Sequence, residues 1–334
     1  MQNIVDAEFQ NIRPFSKKEV RTTWKELKKR TPNLWYYQIQ NQVVYGPKNQ
    51  IHDLLSAICA KYPMKDVDVL YYNQDYLPQS CFKKKKQYPP IFTSAKKIGD
   101  KNVILFADWY YHINDSDSAT NELQRDLNSN SWKELIPAVN IAYQQYRWED
   151  RIPKMVWRGS MYGPLYTPDT WTKTPRGHIV YLSQYKHPDW IDAAFSSHSS
   201  SRCSNSKYFD RTLTQSRLSP MEQVYYKYQI DIDGLTATFT ALSWKLLSGS
   251  VVFKQQSTHI MWFHSALEPW KHYIPVDHNL RDVPHKILWA LEHDEETQQI
   301  ADNGRQFALT HLMPEHILLY CYLALCKYAS LQRE

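Results

Sequence analysis

An α/β protein of two halves is what the sequence predicts, and three observations carry that expectation. Strand-like and helix-like segments alternate along the chain. The stretch KYQIDIDGLTATFTALSWKLLSGSVVFKQ, Lys227 to Gln255, reads as a single βαβ unit. A fresh α/β series opens just after Asp150 with PKMVWRGS, which places a domain boundary there. The 334 residues are enough for two domains, and a hydrophobic share of 43% is enough to give each a core.

The elements follow in order. Arg21–Thr31 reads as a helix, and NLWYYQIQNQVVYG (Asn33–Gly46) as a hairpin. Asn49–Tyr62 reads as a helix and Asp66–Asp75 as a strand ending in a carboxylate. Val103–Ile113 is a strand passing into a loop, 116–131 is the least structured stretch, and WKELIPAVNIAYQQYR is a helix. In the second half Pro153–Ser160 is a strand. HIVYLSQY is a strand or a helix end, WIDAAFS a short element, and Ser196–Lys207 a Ser-rich surface loop. In the βαβ unit, Tyr228–Ile232 is a strand stopped by Asp233-Gly234. Thr238–Leu247 is a helix capped by Thr236 or Thr238, and Val251–Phe253 is the second strand after Gly249. Trp270–Val276 is a further strand, and the remainder is helical.

Composition narrows the function. A net charge of +6 favours anionic partners mildly but lacks the interleaved basic pattern of a nucleic-acid module. The one dense basic run, Lys83–Lys86, reads as a solvated loop, with an anionic membrane surface as its alternative partner. Five cysteines without CxxC spacing argue against a disulfide scaffold or zinc site and fit a reducing compartment. The N-terminus shows no apolar signal segment, and Ile317–Cys326 is too short to cross a bilayer, so the expectation is a cytoplasmic protein without a transmembrane segment. Tyrosine and tryptophan are abundant, 24 and 12, and suit a wet, sugar-binding cleft, although core packing accounts for most of them.

Ligands of open α/β sheets sit at the carboxyl ends of strands. Asp75, Arg158 and Gly234 each follow an expected strand, giving an acid, a base and a Gly-Thr turn at a helix N-terminus. Free N–H groups and the helix dipole at such a turn favour a phosphate. A metal alternative rests on the Asp115/Asp117 and Asp231/Asp233 pairs, since hard cations take oxygen ligands. The first pair lies in a polar loop and the second runs straight into the phosphate-type turn, so no metal ligand is assigned.

The segments VLYYNQDYLPQS, VWRGSMYG, the βαβ stretch, LEPWKHYIPV and HDEETQQIADNGRQF, in that order, resemble the protein O-glucosyltransferase family. This is glycosyltransferase family 90, which includes Rumi-type enzymes, capsule-associated proteins and bacterial lipooligosaccharide glucosyltransferases. DIDG and WKLLSGSVV look more like the bacterial branch. The resemblance implies a GT-B fold, two Rossmann-like domains facing each other across a cleft. Residues 1–150 would form the acceptor side, joined by helices at about 311–334, and 151–310 would bind the donor. It implies inverting, metal-independent transfer of glucose or a related sugar from a UDP-sugar to a hydroxyl of a lipooligosaccharide-like glycan or a protein. No cofactor is implied beyond that co-substrate. The absence of a visible signal segment sets the expected location in the cytoplasm or peripherally at the inner membrane, with delivery into a host cell as the alternative. The family's base sits in an Asn-x-x-Asp-Tyr setting; Asn73, Asp75 and Tyr76 match it with one residue fewer, and Leu77 is extra. Arg158, with Gly159 and Ser160, would face the diphosphate, as would Gly234, Thr236, Thr238, Phe239 and Thr240. Thr240 and Met161 stand where the animal enzymes carry arginines, so less positive charge would face the phosphates. Tyr76, Asp108 and Trp109 would border the acceptor cleft. The rival reading is a silent carbohydrate- or nucleotide-binding protein of the same fold.

Overall fold

A computed structural model describes residues 1–83, 86–107, 132–161, 166, 169–196 and 211–334. Asp108, Trp109, Asp115, Asp117, Lys84, Lys85 and Cys203 lie outside them. The chain forms two compact units, one of residues 1–133, 258–266 and 311–334, the other of residues 134–257 and 267–310.

The first unit contains helices α1 (Gln2–Phe9), α2 (Lys17–Leu27) and α3 (Gln50–Lys61) and strands β1 (Leu34–Gln40), β2 (Val43–Tyr45), β3 (Val67–Tyr72), β4 (Ile91–Thr93) and β5 (Val103–Leu105). Their sheet order is β2-β1-β3-β4-β5. β1 and β2 form the expected antiparallel hairpin. Its two-residue turn has positive φ at both Asn41 (48°) and Gln42 (65°), as the twist of a tight hairpin demands. β3 pairs antiparallel with β1 and parallel with β4, and β4 is parallel to β5. Local chemistry starts the helices. Ser16 and Glu19 make a reciprocal capping box on α2, and the Asn49 side chain accepts from the Ile51 and His52 amides of α3.

The second unit holds α4 (Trp132–Gln145), β6 (Ile152–Gly159), α5 (Pro175–Tyr181), β7 (Ile191–Phe195), β8 (Tyr226–Asp231), α6 (Thr240–Leu247), β9 (Val251–Gln255), β10 (Ile274–Val276), α7 (Val283–Glu292) and α8 (Asp294–His311), the first and last helices reaching a residue or two into the other unit. The sheet order is β10-β9-β8-β6-β7, every pair parallel. Alternation along these strands separates two faces. Met155, Trp157, Ile191, Phe195, Tyr228, Ile230, Phe253 and Ile274 bury one face in a single apolar cluster. Arg158, Asp192, Gln229, Asp231 and Lys254 fall on the other.

The last helix, α9 (Pro314–Leu331), belongs to the first unit. Tyr320 and Tyr328 are fully buried there; their hydroxyls donate to the Leu105 and Pro90 carbonyls at 2.8 and 3.3 Å. Beyond the helix, the Gln332 amide group takes both main-chain groups of Asp68, each at 2.8 Å.

Several expectations need correction. The division falls at residue 133, not 150, because α4 is held in the second unit: Asn140 accepts from Arg305 at 2.8 Å, and the Arg305 guanidinium lies 3.7 Å from the Tyr143 ring centroid. The chain also returns to the first unit over 258–266, where His259–Ile260 pairs antiparallel with Lys96–Lys97. Of the two forms expected for HIVYLSQY the structure takes the helix end, which widens into a π-turn over Leu182–Lys186. The strand expected from Trp270 begins only at Ile274, because Trp270 has φ 64° and its N–H closes a turn onto Tyr273 O at 2.7 Å. Lys83 and Lys86 both pair with Glu26, so the basic run offers less free charge than its sequence promised, and a membrane role for it gains no support. No helix among the described residues is long and apolar enough to cross a membrane.

Candidate functional site

The carboxyl end of β8 carries a buried, paired carboxylate. Asp231 is 2% exposed and accepts from Lys245 Nζ at 2.9 Å and from the Thr238 hydroxyl at 2.7 Å. Burial alone would raise its pKa, but the charges of Lys245 and Lys254 and these hydrogen bonds hold it below the usual carboxylate range. The pair fastens α6 to β8. It also commits the single hydroxyl hydrogen of Thr238 to Asp231, so that side chain has none to offer a phosphate oxygen in this arrangement. Thr238 therefore fixes the turn, and its carbonyl accepts from the Ala241 amide at 3.1 Å.

α6 starts two residues later than its sequence suggested. Its N-cap is Phe239, at φ 51° and ψ −127°, and no side chain caps it. Thr236 is buried and Gly234 N–H donates to its carbonyl at 3.0 Å, which shapes the Gly-Thr turn. Neither threonine caps the helix; Thr238, Phe239 and Thr240 are half-buried around its N-terminus.

At the end of β6, Arg158 is also engaged. Its Nη2 donates to Asp192 Oδ1 and Gln215 Oε1, both at 2.7 Å, and its Nη1 to the Asp192 and Trp157 carbonyls at 2.9 and 3.0 Å. Its Nε is buried with no acceptor among the described residues. Asp192 further accepts from the Tyr226 hydroxyl at 2.6 Å. Gly159 is required by close approach: a Cβ there would meet the Trp157 ring at 2.5 Å.

An arginine that the motif reading passed over joins these two strand ends. Arg176, in the first turn of α5, donates from Nη1 to Ser160 O at 2.9 Å, from Nε to Asp233 O at 2.9 Å and from Nη2 to Ile232 O at 3.4 Å. The sequence signal was the Thr174-Pro175 helix start, which places residue 176 in a fixed first turn. Arg158–Ser160 and Gly234–Thr240 thus share one edge of the sheet.

Asp233 stands beside them, its carboxyl accepting from the Ser257 hydroxyl. Burial pushes its pKa up to about 6, with the Asp231 charge adding to the rise. Asp231 and Asp233 have separate partners, Lys245 and Thr238 for the first and Ser257 for the second. No cluster of three His, Cys, Asp or Glu suited to a metal occurs among the described residues.

In the first unit Asp75 lies three residues past β3, half-buried. The chain leaves β3 with Asn73 N–H bonded to Asn33 O at 3.0 Å. Tyr76 packs edge-on against His259, 5.0 Å between ring centroids, and Lys97 Nζ lies 5.4 Å from the Tyr76 ring. The returning segment 258–266 therefore walls the Asp75 loop, a neighbour that sequence distance conceals. A separate pocket of about 340 Å³, lined by Tyr143, Trp148, Arg151, Gly249 and Asp302 among others, lies at the amino ends of β6 and β9, away from the strand exits.

Comparison with known proteins now bears on this arrangement. Residues 20–334 match the family described as Glycosyl transferase family 90. The chain is 36% identical over 185 residues to protein O-glucosyltransferase 2 of Danio rerio, covering 55% of this chain and 34% of that protein. It is 43% identical over 107 residues to protein O-glucosyltransferase 3 of Homo sapiens, covering 32% of this chain and 21% of that one. The chain thus spans about a third or less of the length of these relatives. A crystal structure of Anabaena HepE in complex with UDP-glucose overlays with a TM-score of 0.37 at 11% identity, covering 55% of this chain and 51% of that one, too partial a likeness to decide anything. The family match spans both units and every strand exit described above, and the chain belongs to glycosyl transferase family 90.

Proposed function

We propose that this chain transfers glucose from UDP-glucose to a hydroxyl of a protein or glycan acceptor, with inversion and without a metal. The observation that carries the reading is the family match over residues 20–334, which takes in Asp75, Arg158–Ser160 and Gly234–Thr240 in order. The names of the vertebrate relatives favour glucose as the sugar and a protein hydroxyl over a lipooligosaccharide as acceptor.

In this mechanism the second unit holds the donor. N–H groups at the start of α6 face the diphosphate, supported by Arg158. Asp75 takes the proton of the acceptor hydroxyl as its oxygen bonds to the anomeric carbon. The bond from that carbon to the phosphate oxygen breaks, and UDP leaves with the electron pair. A single displacement of this kind inverts the anomeric configuration. Metal independence is supported by the Lys245 and Thr238 bonds to Asp231, which compensate the more deeply buried carboxylate of the Asp231/Asp233 pair.

The test is slow hydrolysis of UDP-α-glucose by the full chain, followed by NMR with and without chelator. The reading expects UDP release that survives chelation and β-glucose as the first product. First-formed α-glucose would remove inversion, and loss of release on chelation with rescue by manganese would remove metal independence.

A further inference from the structure

We infer that Arg176 and Gln255 are positioning residues of the donor site, two side chains that lock four strand exits into one rim. The inference rests on the UDP-sugar reading and deepens it. Arg176 spans β6 and β8 through the Ser160, Ile232 and Asp233 carbonyls. Gln255, the last residue of β9, is 2% exposed and carries the rim onward. Its Oε1 accepts from the Asp233 N–H at 2.9 Å, and its Nε2 donates to His278 O at 2.6 Å, just past β10. The main chain of Asp233 is therefore held from both sides, its carbonyl by Arg176 and its amide by Gln255. The next residue is Gly234, where the phosphate-type turn begins.

Two physical consequences follow. Carbonyls at the carboxyl ends of parallel strands have no further ladder partner, and a buried one without a donor is costly. Arg176 satisfies three at once with a planar fork that a lysine ammonium does not reproduce. Carbonyl oxygens also repel an anionic diphosphate, so drawing three of them toward a guanidinium leaves the neighbouring amides to set the local field. Gln255 performs its part only as an amide, because one end accepts and the other donates. A carboxylate of the same shape sets an acceptor against the His278 carbonyl.

The experiment uses the full chain and UDP. Arg176→Lys, Gln255→Glu and Val251→Ala are each characterised by thermal midpoint and by UDP affinity well below that midpoint. Val251 is buried at the start of β9, away from the rim, and controls for stability loss alone. The rim predicts UDP binding about tenfold or more weaker in both rim variants, since misplacing a binding element by an ångström has effects of that size or larger, with Val251→Ala binding like the parent. Rim variants that lose thermal stability yet bind UDP as the parent does would reduce Arg176 and Gln255 to structural ties and overturn the inference. If Gln255→Glu does not fold, Gln255→Met removes both bonds without a buried charge and is read by the same rule. A parent that binds no UDP would sink the donor reading and the inference together, and so separates the two failures.

Discussion

The two units present their functional strand ends in opposite ways. In the first, Asp75 stands on a loop three residues past β3, and the motif around it is contiguous in sequence. In the second, Arg158, Thr238 and Asp231 are bound into side-chain pairs contributed by residues 7 to 57 positions away. A proton acceptor needs access and a lone pair, so a loop suffices. Under the proposed roles, a grip on a diphosphate needs several N–H groups at fixed spacing, and the buried pairs around the second unit's exits would hold them there. The price appears on one face of the sheet, where charges are buried that only work in pairs.

Substitutions that act on one side alone break this contrast. The largest effect is expected from Asp75→Asn, which keeps size and shape but accepts no proton: transfer should fall about 100- to 10,000-fold, with UDP affinity unchanged by calorimetry. Next comes Lys245→Met, which leaves Asp231 buried without its ion pair. Breaking such a pair costs about 3–5 kcal/mol, measured by urea unfolding, and a second change, Asp231→Asn, should recover much of it. Arg158→Ala should weaken UDP binding about ten- to a hundredfold, as charge-assisted hydrogen bonds are worth about 1.5–3 kcal/mol. Asp192→Asn sharpens that reading. It preserves the hydrogen-bonded shape while releasing the Arg158 charge, so UDP affinity should rise severalfold. Unchanged affinity in both variants would leave Arg158 as a strut.

The smallest effect concerns pH. Asp233 has a folded-state pKa raised to about 6 from an ordinary 3.8. The native state then binds more protons than the unfolded chain between those values, and stability falls as pH rises through that window. Asp233→Asn should remove this slope and raise stability at pH 8 by about 1–2 kcal/mol, a figure discounted for residual solvent screening. A thermal-midpoint series from pH 4 to 8 reads it directly. A parent flat across that range would contradict the shift.

Much of this was legible in the sequence, for identifiable reasons. The hairpin, the βαβ unit and the C-terminal helix declare themselves through period and turn chemistry over short windows. The strand exits carrying Asp75, Arg158 and Gly234 could be placed because strands end where apolar runs end. What stayed hidden depends on long-range pairing. Nothing near Arg176 marks it as the partner of Asp233, 57 residues on, nor does Thr238 announce that Asp231 takes its hydrogen. The return of 258–266 to the first unit was also unreadable, because two-residue strands carry no periodic signal.

The central claim is that the second unit grips a uridine diphosphate. Calorimetric titration of the full chain with UDP, ADP and GDP, chelator present throughout, tests it most directly. The account predicts saturable UDP binding at least about tenfold tighter than either purine nucleotide, a gap of about 1.4 kcal/mol. Equal binding of all three, or binding of none, would contradict it.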